Sequence, residues 1–230
     1  MHATTHMSPN VLEDLGPLYH DYSFFGISNT QVSGHYIPNQ KVKAPIITAY
    51  VAYAKAKCKS SVPSFTELFC ADGYYAMVAS RLGCSPSIGI DDNSENHFGK
   101  AEIIANRLGL NDCRFIRAEI GPSSTFEPTD IVANLGGLYH VRNPKEILRN
   151  SFRQARQYLI VQSVVSLATD DDSYFESPAP GWTWGCRYSR SSFHKMITEI
   201  CPNIIDHHFN ELTGNERPED RGSVYYLIEK

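Results

Sequence analysis

The spacing of apolar residues divides the chain into two unlike parts near residue 60. In the first part, Val11 to Tyr19 and Pro45 to Lys57 carry helical spacing, the second through Ile46, Ile47, Tyr50, Val51 and Ala54. Between them lies an aromatic, glycine-punctuated segment, Tyr22-Ser23-Phe24-Phe25-Gly26 and then Gly34-His35-Tyr36-Ile37-Pro38. That composition fits an ordered lid rather than a disordered tail. From Ser64 onward the period switches back and forth between two and three-to-four. Strands are predicted over Phe65 to Cys70, Ser87 to Ile90, Cys113 to Ala118, Asp130 to Asn134 and Tyr158 to Leu167, the last apolar enough to be a buried central strand. Helices are predicted over Tyr74 to Leu82, closed by Gly83, over a long amphipathic run through Lys100, Ile103, Ile104 and Leu108, stopped by Gly109, and from Pro144 to about Gln157.

This alternation predicts an α/β fold, a Rossmann-like doubly wound and mostly parallel sheet with right-handed crossovers. After a helix near Ser191 to Ile200, two runs (Ile204 to Leu212 and Ser223 to Ile228) flank the polar loop Thr213 to Gly222. A hairpin there adds an antiparallel C-terminal strand to one edge of the sheet. The expected organisation is an N-terminal helical cap over 1–60 and the main domain over 61–230, with 169–190 as an insertion beside the fifth strand.

Charge and cysteine content narrow the function classes. The 230 residues carry a formal net charge of −4, which weighs against an extensive phosphate-binding surface. Six cysteines stand apart without C-x-x-C pairs, so a reduced, cytoplasmic protein without a metal site is expected. No stretch approaches the roughly 18 apolar residues of a membrane span. Met1 to Asn10 is polar and reads as a frayed end rather than a signal peptide.

Ligands of doubly wound sheets bind beyond the C-terminal ends of the strands, so the strand ends are the first candidates. The first strand runs into Glu67-Leu68-Phe69-Cys70-Ala71-Asp72-Gly73, a turn of mostly small residues led by an acid that suits a cation better than a pyrophosphate. The alternative is an ordinary strand-to-helix turn. Asp91-Asp92 ends the second strand, where a carboxylate can accept both hydroxyls of a ribose or else cap the segment near Ser94. Glu119-Ile120 ends the third, an acceptor for an adenine amino group beside an apolar surface for the ring, and Asn134-Leu135 ends the fourth.

Together, these ends resemble a class I S-adenosylmethionine-dependent methyltransferase from about Glu67 to Leu167. Within that superfamily, Gly73-Tyr74-Tyr75, Gly89-Ile90-Asp91 and Leu138-Tyr139-His140 with Asn143-Pro144 are similar to enzymes that modify the tRNA wobble uridine and to related small-molecule methyltransferases. The resemblance implies S-adenosylmethionine as cofactor, held by Glu67, Phe69, Cys70, Ala71, Gly73, Asp91, Asp92, Glu119, Ile120, Asn134 and Leu135. The family's acidic-x-Gly-x-Gly-x-Gly turn falls on Glu67, Phe69, Ala71 and Gly73, so only its last glycine is kept.

On the acceptor side, His140 follows the fourth strand, where it can act as a base or only orient substrate. Trp182 and Trp184 can wall a planar or sugar-like acceptor and Arg187 can bind an anionic group, with Tyr36 and Tyr139 alongside. The same Pro/Trp-rich segment can equally be a rigid plug over the fifth strand. Asp170 to Asp172 read as hydrated or helix-capping. The leading expectation is methyl transfer to an oxygen of a small polar metabolite or natural-product intermediate. The alternatives are a tRNA-modifying enzyme, which the charge disfavours, and an inactive cofactor-binding module, which Phe69 favours. A nicotinamide-dependent oxidoreductase is disfavoured because the G-x-G-x-x-G signature is missing.

Overall fold

The structure, a computed structural model, describes residues 11–32 and 34–230. The expectation of a frayed end at Met1 to Asn10 lies outside the described residues.

The elements in chain order are α1 (Tyr36–Lys57), β1 (Phe65–Leu68), α2 (Tyr74–Arg81), β2 (Ser87–Asp91), α3 (Ala101–Arg107), β3 (Cys113–Arg117), β4 (Thr129–Leu135), α4 (Pro144–Gln154), β5 (Ala155–Val165), β6 (Phe175–Glu176), β7 (Arg187–Tyr188), α5 (Arg190–Ile200), β8 (Ile204–Glu211), α6 (Pro218–Arg221) and β9 (Gly222–Glu229). Seven strands form one sheet in the order β3-β2-β1-β4-β5-β9-β8. Strands β1 to β5 pair in parallel, as the alternation predicts. The C-terminal hairpin contributes two strands: β9 runs antiparallel to β5, and β8 pairs outside it to close that edge. The short β6–β7 hairpin forms a second sheet within the insertion.

Strand alternation sorts side chains onto two faces, each covered by helices. Tyr158, Ile160, Tyr225 and Leu227 join one apolar cluster with α1, α2 and α3, while Leu159, Val161, Val224 and Ile228 join another with α4 and α5. Each fully buried aliphatic or aromatic side chain in these layers contributes about 1.5–3 kcal/mol. The N-terminal segment shares the first cluster through Leu12, Leu18, Tyr22 and Ile27.

The first sixty residues depart from the helical spacing. No helix covers Val11 to Tyr19: a single 3-10 turn over Glu13–Leu15 ends where Gly16 takes φ 66°. Leu18 then bonds across to Thr30 and Val32. Helix α1 begins at Tyr36, well before Pro45, and carries that proline internally. Polar Asn39 and Gln40 hide its periodicity in the sequence, yet both are buried because their amides bond to loops, Gln40 accepting from the Asp21 N–H at 2.7 Å. The helix after β2 is short, since Asn93 and Asn96 take left-handed conformations and hold the preceding residues in turns. Strand β5 starts directly where α4 stops, at Ala155 rather than Tyr158. No helix among the described residues is long and apolar enough to cross a membrane.

Candidate active site

The parallel register brings the ends of β1, β2 and β4 level. Leu68 pairs with both Ile90 and Asn134, and the chain leaves the sheet just beyond these residues. A cavity of about 880 Å³ opens there, between the strand ends, the N-terminal cap and the loop joining β8 to β9.

The turn after β1 is the most strained backbone at the site. Phe69, Ala71 and Gly73 take φ of 61°, 49° and 81°. These are the three positions of the glycine pattern, so the left-handed geometry persists where two of the glycines do not. For an L-residue that conformation costs roughly 1–2 kcal/mol, and tertiary contacts hold it. The Ala71 N–H donates to Asp91 Oδ2 at 3.0 Å. The Phe69 ring lies flat enough on Gly137 that any side chain there would overlap it, and a side chain at Gly73 would strike Phe115.

Asp91 also accepts from the Asn93 N–H at 2.7 Å. Burial raises its pKa, against the lowering pull of those two N–H groups. Glu67 is 1% exposed and accepts from the Ala76 N–H at 2.7 Å, tying β1 to α2. Burial raises its pKa well above the usual carboxylate value, against the lowering pull of the Ala76 and Tyr75 N–H groups.

Of the expected cofactor residues, Glu67, Phe69, Ala71, Asp91, Asp92, Glu119, Ile120 and Leu135 line the cavity. Cys70, Gly73 and Asn134 do not. Asn134 shares strand parity with Val132, so its side chain points to the α4 face and donates to Ser151 Oγ at 3.0 Å, while Leu135 turns to the cavity side. Cys70 is wholly buried, and Gly73 serves the packing of the turn.

The acceptor candidates Tyr36, Tyr139, His140, Trp182, Trp184 and Arg187 all line the same cavity. The His140 ring stacks on Trp184 at 5.0 Å with the planes 5° apart, and Trp182 follows at 5.0 Å from Trp184. Burial, with Arg187 and Lys43 nearby, brings the His140 pKa down to about 4. Its imidazole is therefore neutral at ordinary pH. Arg187 is 3% exposed and spends its guanidinium inside the protein, on Asp220 at 2.6 Å and on the carbonyls of Cys186 and Tyr139. The insertion is seated by the Cys186 N–H on the Tyr139 carbonyl at 3.0 Å, and Gly185 is pressed against that same carbonyl. The acidic run caps α5 in part, Asp170 accepting from the Ser191 N–H at 3.1 Å.

Several further cavity residues, unlike the candidate Tyr36 and the motif residue Tyr75, carry no signal in the sequence. His20, from the cap, donates its N–H to Asp72 at 3.0 Å and meets the same carboxylate through Nδ1 at 2.5 Å, locking the cap onto the turn after β1. Tyr19, Tyr36 and His97 form an aromatic roof, with Tyr19 4.9 Å from Tyr36 and 4.7 Å from His97. Lys43, Tyr75 and Gln162 complete the wall. Each lies far in sequence from the residues it faces.

No family model and no curated protein matches the sequence. Solved structures do match the fold. The N-terminal domain of EvdMO1 with SAH (S-adenosylhomocysteine) bound superposes with a TM-score of 0.68 at 18% identity, over 94% of this chain and 92% of that one. The same domain in the presence of SAH and D-fucose gives 0.63 at 17% identity, over 94% and 92%. Magnesium protoporphyrin IX methyltransferase from Synechocystis PCC 6803, with SAH bound, gives 0.63 at 13% identity, over 97% and 100%. The fold is that of the class I methyltransferases. Here a seven-stranded sheet with one reversed strand, β9, presents its strand ends to one cavity.

Proposed function

We propose that the chain is an S-adenosylmethionine-dependent methyltransferase that acts on a hydroxyl of a small, polar, sugar-like acceptor. The observation that carries this is the turn over Phe69 to Gly73, held left-handed by the Asp91 carboxylate beside the cavity. A glycine-pattern backbone maintained without its glycines is kept against a steric cost, which fits a site that needs that backbone shape. The residues suit the cofactor in kind. Asp91 has lone pairs left for ribose hydroxyls, Glu119 stands exposed as an acceptor for an adenine amino group, and Ile120 offers an apolar surface for the ring.

When bound, the cofactor supplies a methyl group on a sulfonium, ready for in-line displacement. The protein's part is to align the two reactants and keep water out. Trp182 and Trp184 give the acceptor an apolar face, and Glu216 on the same cavity's lining gives its hydroxyls a polar partner. His140 offers a neutral ring nitrogen. Its low basicity suits taking a proton from an oxygen already made acidic by the new C–O bond, rather than from the resting alcohol. Cap residues Tyr19, His20 and Tyr36 close the cavity from above, so we read 1–60 as a lid on the domain formed by 61–230. The appearance of D-fucose with the EvdMO1 domain supports a sugar-like acceptor.

Calorimetric titration with SAH tests the proposal, with NAD as control. Binding of SAH alone is expected, together with a rise in melting temperature that grows with ligand concentration. No heat and no thermal shift with SAH would overturn it. A tRNA substrate, the second expectation from the sequence, requires affinity for tRNA that falls steeply as salt rises. With all six cysteines free thiols, we read the protein as cytoplasmic.

A further inference from the structure

The lysine and arginines that line the cavity stand at one end of it, beside the insertion and the loop joining β8 to β9. Arg187 and Arg217 belong to those two segments, and both are engaged. Arg187 pairs with Asp220 at 2.6 Å, and Arg217 lies 3.5 Å from the same carboxylate and donates to the Pro180 carbonyl at 2.6 Å. Lys43 comes to this end on α1. Asn39, one turn before it on the same helix face, donates to Asn215 at 2.8 Å and accepts from the Gly214 N–H at 2.9 Å. The Val42 carbonyl accepts from Asn210 of β8 at 3.0 Å. The turn of α1 that carries Lys43 is thus docked on the C-terminal hairpin. Its ammonium lines the cavity and makes no ion pair or hydrogen bond among the described residues, Glu216 included. Its charge reaches the two nearest imidazoles. Burial lowers the pKa of His35 and of His140, and Lys43 lowers both further, joined at His140 by Arg187.

Resting on the methyl-transfer reading above, we infer that Lys43 selects an acidic acceptor, a sugar-like molecule whose carboxylate or phosphate pairs with this ammonium inside the cavity. The acceptor's ring then lies against Trp182 and Trp184, and its hydroxyls meet Glu216, on the same wall of loops. Loss of water around Lys43 brings its pKa down to about 8, and no carboxylate of the protein offsets this. An anion on the ligand does so, which restores the charge. The ammonium offers three donors on a flexible stem and holds either kind of anion as a point charge. A neutral sugar leaves that charge desolvated and unpaired, and the difference between the two cases is what discriminates between acceptors.

The test is calorimetric titration of the full chain, saturated with SAH, with sugars of one ring stereochemistry. D-fucose and D-galactose are the neutral probes, and D-galacturonic acid and galactose 1-phosphate the charged ones. At least one charged sugar is expected to bind about 10- to 100-fold more tightly than D-galactose, as for one charge-assisted hydrogen bond. Which of the two gains more tells carboxylate from phosphate. In Lys43→Met and Lys43→Gln the margin should vanish, while SAH affinity stays within about twofold, which also shows that the variants fold. Wild-type protein that binds the charged sugars no better than the neutral ones overturns the inference, and so does a preference that survives in both variants. A loss of SAH affinity in the variants, with binding of 5′-methylthioadenosine unchanged, assigns Lys43 to the donor and overturns it too. Wild-type protein that gives no heat with SAH overturns the methyl-transfer reading itself. That outcome is distinct from SAH binding without preference among the sugars, which leaves the reading standing.

Discussion

At the β1–β3 end of the cavity, the wall is made of strand ends and the turns that follow them. Its polar groups are tied down locally: Asp91 holds Ala71 and Asn93, and Glu67 holds Ala76. At the β5 end, the wall is assembled from three segments remote from one another. Asn39 of α1 donates to Asn215 at 2.8 Å and accepts from the Gly214 N–H at 2.9 Å, Arg217 reaches Pro180, and Arg187 reaches Asp220. The first end inherits its geometry from the register of the sheet. The second exists only while the loops stay docked. On the proposed function the cofactor lies at the first and the acceptor at the second, where loops can change without disturbing the sheet.

The sharpest way to break the comparison is to undock the second end. Arg187→Met leaves Asp220 buried without its closest cation, and we expect a loss of about 3–5 kcal/mol in stability, measured by urea unfolding. If acceptor-end docking is separate from the sheet, SAH should still bind to whatever fraction remains folded. A loss below about 1 kcal/mol would show that Arg217 and the loop carbonyls suffice to hold the segment.

Next in size is the converse change. Asp91→Ala should remove the thermal shift produced by SAH, a loss of about 2–3 kcal/mol of binding. The near-ultraviolet signal of Trp182 and Trp184 should be preserved, because neither touches Asp91. An undiminished shift would place the ribose elsewhere.

His140 joins the two ends, stacked on the insertion but carried by the turn after β4. His140→Ala should slow turnover about 100-fold and leave SAH affinity within about twofold. Its titration gives a separate signature. In the unfolded chain the imidazole titrates near 6.5, and in the folded protein near 4. Between those values the unfolded state binds the proton more readily, so stability falls as pH is lowered through that window. The acid-side slope should be shallower in His140→Ala. An identical slope would mean that the ring is solvated.

The smallest effect sharpens the account of the first end. Ala71→Gly relieves a side chain held at φ 49° and should stabilise the fold by about 0.5–1 kcal/mol, after the entropy cost of glycine. A destabilised variant would show that the Ala71 methyl packs more than it strains.

The contrast between the ends also explains which residues were legible beforehand. Asp91, Glu119 and Leu135 stand at strand ends that follow one another in chain order, so periodicity alone brings them to one edge. Asn134 shows how narrow that inference is, since one residue of alternation turns its side chain to α4. Phe69 and Ala71 read as departures from a glycine pattern, and the sequence holds no sign that their backbone keeps the glycine conformation. Lys43, on a helix whose start is concealed by Asn39 and Gln40, could not be placed at all. Trp182 and Trp184 stood out by composition, whereas the stacking of Trp184 on His140 depends on a loop folding back across the sheet.

By itself, then, the order of apolar runs determined the doubly wound sheet, the edge at which ligands gather and the acidic strand ends that face it, because all of these follow from local periodicity and chain direction. Tertiary structure decided that Glu67 is buried, that Arg187 is spent on Asp220, and that the first sixty residues bring Tyr19, His20 and Lys43 to the cavity. Those outcomes depend on burial and on partners supplied by distant parts of the chain, and no local pattern encodes either.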